Sequence, residues 1–284
     1  DLLGMKALPD YMKKTVQIKD DFNAVDIAGE ASTDVVIRNS DTGNSYIEYY
    51  DTEGLVNTAT VVDGVLTFRC EDKRTHHPTI SLGFGSDTKT TIYLAEKEYQ
   101  AIQVTTASGN IDYRYSYKPN TEPAGNSAFT SLKTNSGDIS IADIEANTLT
   151  TKTSSGNISI SNSSFTTLLE LHASSGDILL NRTAAGQAEF YTTSGYVSAS
   201  ELSANTSLTC NTASGDVDMN IADAEAIDIS AMSGYIDLEL DSDRSYSFSA
   251  NTQSGNIDIP HGANNSEYEC GVTTTSGDIR IRQE

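Results

Sequence analysis

Apolar residues recur along this chain two positions apart, and each such pair follows a Ser-Gly step. The glycines of the step stand at 109, 137, 156, 176, 195, 215, 234, 255 and 277, so the spacings are 28, 19, 20, 19, 20, 19, 21 and 22. Two residues after them come Ile111, Ile139, Ile158, Ile178, Val197, Val217, Ile236, Ile257 and Ile279, a β-branched side chain every time. Four residues after them come Tyr113, Ile141, Ile160, Leu180, Ala199, Met219, Leu238, Ile259 and Ile281. Side chains two apart share one face of a strand, so a half-buried strand leaves every Ser-Gly step. Five residues before the glycine the chain carries mostly apolar residues (Val104, Leu132, Leu171, Phe190, Ile229, Val272), and three before it only Thr or Ala. A second inward-facing strand therefore enters the same corner.

A unit of about 20 residues with two short strands cannot bury its own apolar face, so units must stack. The pattern predicts an all-β chain, a single-stranded parallel β-solenoid (β-helix) of about 20-residue coils with an N-terminal β cap. Alternating spacings of 19 and 20 leave open whether one coil holds one Ser-Gly unit or two, with one favoured. Gly109, Gly137, Gly156, Gly176, Gly195, Gly215, Gly234, Gly255 and Gly277 are expected to be structural turn residues in the left-handed conformation that glycine adopts without penalty. The Asp or Asn that often follows is expected to bond local backbone in the turn.

Three regions follow. Residues 1–14 read as a linker or cap, residues 15–97 as a β-rich capping region continuous with the solenoid, and residues 98–284 as the repeat. Alternating stretches such as "AVDIAG", "DVVIRN" and "SYIEYY" read as strands. Asp63-Gly64 between two apolar runs predicts a hairpin. Residues 71–89 and 118–126 read as loops, the second thrown out from the rod. The alternating charges of Ile279–Glu284 suit the blunting of the last edge.

The serial "TxSGDI" and "TSSGNI" units, the segment "TIYLAEKEYQAIQV" and the pair "FNAVDIAGEASTDVVIRN" resemble a large bacterial family of adhesin-like proteins with β-strand repeats, a domain of unknown function. The resemblance covers most of residues 15–284. It implies a parallel β-solenoid, an extracellular or cell-surface location on a membrane anchor, and no catalytic residues.

Charge narrows the partners. Forty acidic residues face 18 basic ones, a net charge of −22. Nucleic acid and anionic membrane surfaces are disfavoured, since both need a basic patch. No apolar run reaches the length of a membrane span. The chain opens on Asp1, and an N-terminal signal or anchor is expected ahead of it. Cys210 and Cys270 fall on inward positions about three coils apart, beyond disulfide reach, and Cys70 has no evident partner.

Candidate chemistry lies on the outward positions. Stacking in chain order brings Asp216, Asp218, Asp237, Glu239 and Asp258 into an acidic patch, a Ca²⁺ site or a solvated acidic face. His76, His77, His172 and His261 have no zinc spacing. Tyr113, Tyr115 and Tyr117 alternate and offer a contact surface for a sugar or protein, or an extension of the core. No nucleophile elbow, phosphate loop or paired-carboxylate cleft is written in the chain. The leading expectation is a non-enzymatic surface protein that binds a glycan or protein ligand through its side faces. An envelope accessory protein comes second and a polysaccharide-active solenoid enzyme third.

Overall fold

The computed structural model describes residues 12–29, 33–73, 89–115, 127–241, 243–263 and 266–283. Tyr117, His76, His77 and the expected 118–126 loop lie outside them. Among the described residues every regular element is a strand, and all 21 belong to one mixed sheet around a single apolar core. The N-terminal region holds β1 (Met12–Gln17), β2 (Ala24–Gly29), β3 (Asp34–Asn39), β4 (Tyr46–Asp51), β5 (Leu55–Val62), β6 (Val65–Asp72), β7 (Lys89–Leu94) and β8 (Tyr99–Thr106). Asp63 and Gly64 join β5 to β6 in the expected hairpin, with φ of 49° and 76°. Both residues are left-handed, as a two-residue loop needs in order to match the strand twist.

The repeat supplies β9 (Ile111–Arg114), β10 (Ser127–Thr134), β11 (Ile139–Ala142), β12 (Glu145–Thr153), β13 (Ile158–Ala173), β14 (Ile178–Ser194), β15 (Val197–Ser214), β16 (Val217–Ser233) and β17 (Ile236–Leu240). After these come β18 (Tyr246–Ser254), β19 (Ile257–Asp258), β20 (Tyr268–Ser276) and β21 (Ile279–Gln283). Register shows how units stack. Ile139 pairs with Ile158, Ile158 with Ile178, Ile178 with Val197, and Val197 with Val217. From Gly137 to Gly215 each Ser-Gly unit is thus bonded to the next, and one unit spans one layer. The β-branched column is closed to solvent from Ile111 through Ile236, and burying one such side chain contributes about 1.5–3 kcal/mol.

The corner glycines correct the expectation drawn from the sequence. Only Gly234, Gly255 and Gly277 have a φ in the positive range, at 147° to 159°, and the other six lie outside the left-handed region. What requires glycine is the approach of the neighbouring layer. A Cβ on Gly156 would sit 1.8 Å from the carbonyl oxygen of Gly137, and one on Gly176 would sit 1.8 Å from that of Gly156. The same holds at all nine corners, at distances of 1.8 to 2.2 Å. Stacked layers bring backbone against backbone here with no room for a side chain.

A second corner escaped the sequence reading. Six residues after the glycine, Asp143, Asn162, Arg182 and Glu201 turn the chain with φ of 59°, 48°, 48° and 54°. Asp and Asn enter this left-handed region more readily than other non-glycine residues, and Asn162 Nδ2 donates to Asp143 Oδ1 of the layer before, at 3.3 Å. Arg182 and Glu201 hold the same conformation with less to favour it, because the layers on either side fix the path.

Layer order differs from chain order at both ends. β2 lies between β6 and β8, and β3 between β7 and β9. At the far end β20 lies between β16 and β18, and β21 between β17 and β19. The corners therefore run Gly215, Gly234, Gly277, Gly255 in space. Ile279–Gln283 is an interior strand rather than the expected blunt end, and β18 with β19 is the outer layer. The sheet is also not wholly parallel: β1 with β4, β4 with β7, and β5 with β6 pair antiparallel. Cys210 and Cys270 end up two layers apart instead of three. Neither forms a disulfide, and both are buried, as is Cys70.

Two substitutions separate close approach from backbone conformation. Gly43 has φ +76° and open space where a Cβ would stand, so Gly43→Ala is expected to cost about 1 kcal/mol. Gly156→Ala must push its layer away from the one beneath and is expected to cost about 3 kcal/mol or more. Urea melts of the two variants check this; equal costs would show that backbone conformation, and not the carbonyl of Gly137, demands the glycine.

Candidate functional site

The polar residues of the Ser-Gly corner hold layers together rather than facing a ligand. Asn157 N donates to Asp138 Oδ1 at 2.7 Å, Asp177 N to Asn157 Oδ1 at 2.9 Å, and Tyr196 N to Asp177 Oδ1 at 2.8 Å. Each Asp or Asn side chain thus takes the N–H of the next layer, not of its own turn as the sequence suggested. Thr153 does the complementary task from three residues before the glycine. Its hydroxyl donates to Gly137 O at 3.1 Å and accepts from Gly156 N at 3.0 Å. Burial is tolerated because both hydrogen-bonding roles of the hydroxyl are used.

The acidic residues singled out for a cation do not converge. Asp218 pairs with Asp237, Asp237 with Arg280, and Asp258 with Arg280. Because β21 is inserted, arginine stands between the carboxylates that chain order would have stacked. Arg280 Nε donates to Asp237 Oδ1 at 3.1 Å and its Nη2 to Oδ2, while Arg282 Nη2 reaches Asp237 and Glu239, each at 3.2 Å. Asp237 is only 8% exposed. The Arg280 hydrogen bond, with Arg282 beside it, holds its carboxyl below the ordinary 3.8. Asp216 serves the corner by accepting Tyr235 N at 2.8 Å, and Asp218 accepts the Tyr196 hydroxyl at 3.0 Å. Among the described residues no three His, Cys, Asp or Glu side chains gather to hold a metal ion.

The tyrosines divide similarly. Tyr113 points into the core between Ile37 and Ile141 and is 2% exposed. Tyr115 is half-buried against the same core. On the outer face of the strands entering the corners, His172 and Tyr191 stack at 4.6 Å between ring centres. His172 Nε2 lies 2.8 Å from Glu170 Oε1, and the Tyr191 hydroxyl donates to Glu189 Oε2 at 2.9 Å. His172 and Tyr191 both stand four residues before a corner glycine, and Glu170 and Glu189 both stand six before, so this column was legible from the spacing.

The recess near the C-terminal end was not anticipated. An open concavity of about 910 Å³ is lined by Asp223, Asp241, Asp243, Arg244, Glu267 and Tyr268 among others. Arg244 grips Asp223 with two bonds, Nε to Oδ1 at 2.5 Å and Nη2 to Oδ2 at 3.2 Å, and lies 4.5 Å over the Tyr268 ring. Asn220 Nδ2 fixes Asp241 at 2.7 Å. Three segments, the turn after β17, the edge of β16 and the approach to β20, meet here because β20 is inserted. The result is an aromatic floor, one neutralised guanidinium and a rim of carboxylates, suited to hydroxyl-rich or cationic groups.

The Asp237 cluster sets a pH dependence. A folded-state pKa below the unfolded value adds stability above pH about 3.8 and loses it as pH falls further. Asp237→Asn is expected to lose about 1–2 kcal/mol at pH 7 and to flatten the acid limb of stability below pH about 3.8. Urea midpoints at pH 3 and pH 7 check it; an acid limb as steep in the variant as in the parent would show that other carboxylates set it.

The fold has solved counterparts. A candidate adhesin from Bacteroides fragilis superposes with a TM-score of 0.51 at 15% identity, covering 96% of this chain and 97% of that one. Candidate adhesins from Parabacteroides merdae and Parabacteroides distasonis give 0.46 and 0.47 at 14% identity, covering 96% and 95% of this chain and 96% and 97% of theirs. At 15% identity the likeness to the Bacteroides fragilis protein is one of fold. No curated protein matches the chain, and no helix among the described residues is long and apolar enough to cross a membrane. The model of the Toastrack DUF4097 family matches residues 22–282, the whole of the layered stack from just before β2 to within β21, and the chain belongs to that family.

Proposed function

We propose that this chain is a non-enzymatic, adhesin-type surface protein whose layers act as a rigid β-solenoid, with residues 15–97 as its cap, and that it binds a glycan or protein ligand on its side faces. The observation that carries this reading is the recess beside Arg244. Its polar groups come from three segments, and Asp223, Asp241 and Arg244 are already fixed by hydrogen bonds, so little of their ordering is lost when a ligand enters. A tyrosine ring next to exposed carboxylates is a common way to hold sugar rings or basic side chains. The candidate-adhesin descriptions of the fold's counterparts agree with it.

The test is binding of the labelled 284-residue chain to a panel of host-matrix proteins, mucin glycans and bacterial cell-wall polymers. Selective binding weakened about tenfold by Tyr268→Ala, a loss of about 1.4 kcal/mol, is the expected result. Binding unmoved by Tyr268→Ala and Asp243→Asn would place the contact elsewhere, and no binding across the panel would remove the adhesin reading.

A further inference from the structure

The two ends of the stack share a property that bears on how they meet other molecules. On the face formed by the strands entering the corners, the order is β5, β6, β2, β8, β10, β12, then β13 to β16, β20 and β18. The terminal strands of this face are thus β5, LVNTATVV, and β18, YSFSANTQS. One residue in five of this chain is charged, and neither strand carries a charge. Edge strands that must stay single are usually guarded by lysine, inward-pointing charges or proline. β1, the end strand of the other face, has Lys13 and Lys14.

Both ends also leave the core partly open. Leu55, Ala59 and Val61 at one end and Phe248, Ala250 and Ile259 at the other pack on the core from one side and are only partly buried. Val56 and Val62 are 40% and 62% exposed. The loop after β19 covers the beginning of β18 alone, with Ala263 N donating to Tyr246 O at 2.8 Å. Among the described residues no strand pairs with the outer edge of β5 or with that of Ser249–Ser254.

Direction makes the two edges complementary. All strands from β6 to β18 on this face run parallel, and β5 alone runs against them. We propose that copies of this chain join end to end, the outer edge of β18 in one copy pairing antiparallel with the outer edge of β5 in the next. The partner is a second copy because a net charge of −22 opposes contact through the acidic sides and leaves the uncharged edge strands β5 and β18 as the surfaces where two copies meet with least repulsion. The contact is heterologous, so it builds open rows rather than closed dimers. It is strengthened by salt, which screens the repulsion.

Sedimentation velocity of the full chain from about 1 μM to about 0.1 mM tests this. The expected result is a series of dimers, trimers and longer rows that grows with concentration and with added NaCl. Ala59→Lys and Ala250→Lys place a charge that a monomer can expose and a stacked copy cannot. Each variant alone is expected to stay monomeric, while the two mixed give a one-to-one dimer and nothing larger, since each keeps one intact end. Thermal melts confirm that the variants fold; if either does not, Thr58→Glu with Thr60→Glu and Asn251→Glu with Gln253→Glu, all on the two edge strands, replace them. A parent chain that is monomeric throughout, or that stops at a dimer, overturns the proposal. So does a mixture of the two end variants that stays monomeric, or a parent series unaffected by either variant.

Discussion

The stack depends on one contact, the approach of each corner glycine to a backbone carbonyl of the neighbouring layer, a glycine's at every corner but Gly109, where it is Thr33's. With a Cβ 1.8 Å from that oxygen at Gly156 and Gly176 there is no side chain small enough to substitute. Because the approach is backbone to backbone, every layer must corner at the same place. That alignment makes the columns: β-branched residues close the core on one side of the corner, and Thr and Asx groups cross-link layers around it. The polar residues of the motif are thus as structural as the apolar ones, and the surface open to a partner is smaller than the count of polar positions suggests.

The apolar columns were legible because side-chain alternation in a strand is a local property. Ile139, Ile158 and Ile178 could be placed inside without knowing which strand lies beside which. The partners of the polar columns could not, because an Asp such as Asp138 that accepts from its own turn and one that accepts from the next layer look the same along the chain. Layer order was hidden for a related reason. Units this alike carry no local mark of which neighbour they take, so the insertion of β21 between β17 and β19 had to come from the three-dimensional structure. One clue was present: in the last four units, Arg280 and Arg282 are the only basic residues three and five positions after the glycine, where Asp237, Glu239 and Asp258 stand in the others.

The candidate site follows from that same insertion. The recess beside Arg244 lies where the chain leaves β17, skips a layer and later returns, so a topological irregularity supplies the concavity that a regular stack does not have. Regular layers give flat faces, where side chains such as His172 and Tyr191 are held by neighbouring carboxylates in fixed positions.

The inserted layer also constrains the order of assembly. β18 and β19 are synthesised before β20 and β21, yet among the described residues their backbone ladders reach the stack through those two strands. During synthesis the residues of β18 therefore have no edge to dock on until the last strands emerge, and the growing stack presents the bare edge of β16 and β17 in the meantime. Layers from β10 to β16 can add one after another as they appear, with short closures between neighbours, whereas the final two layers close together over a longer loop. The C-terminal layers are thus the step at which folding waits for β20 and β21, and the edge that waits is the one most open to pairing with the wrong strand.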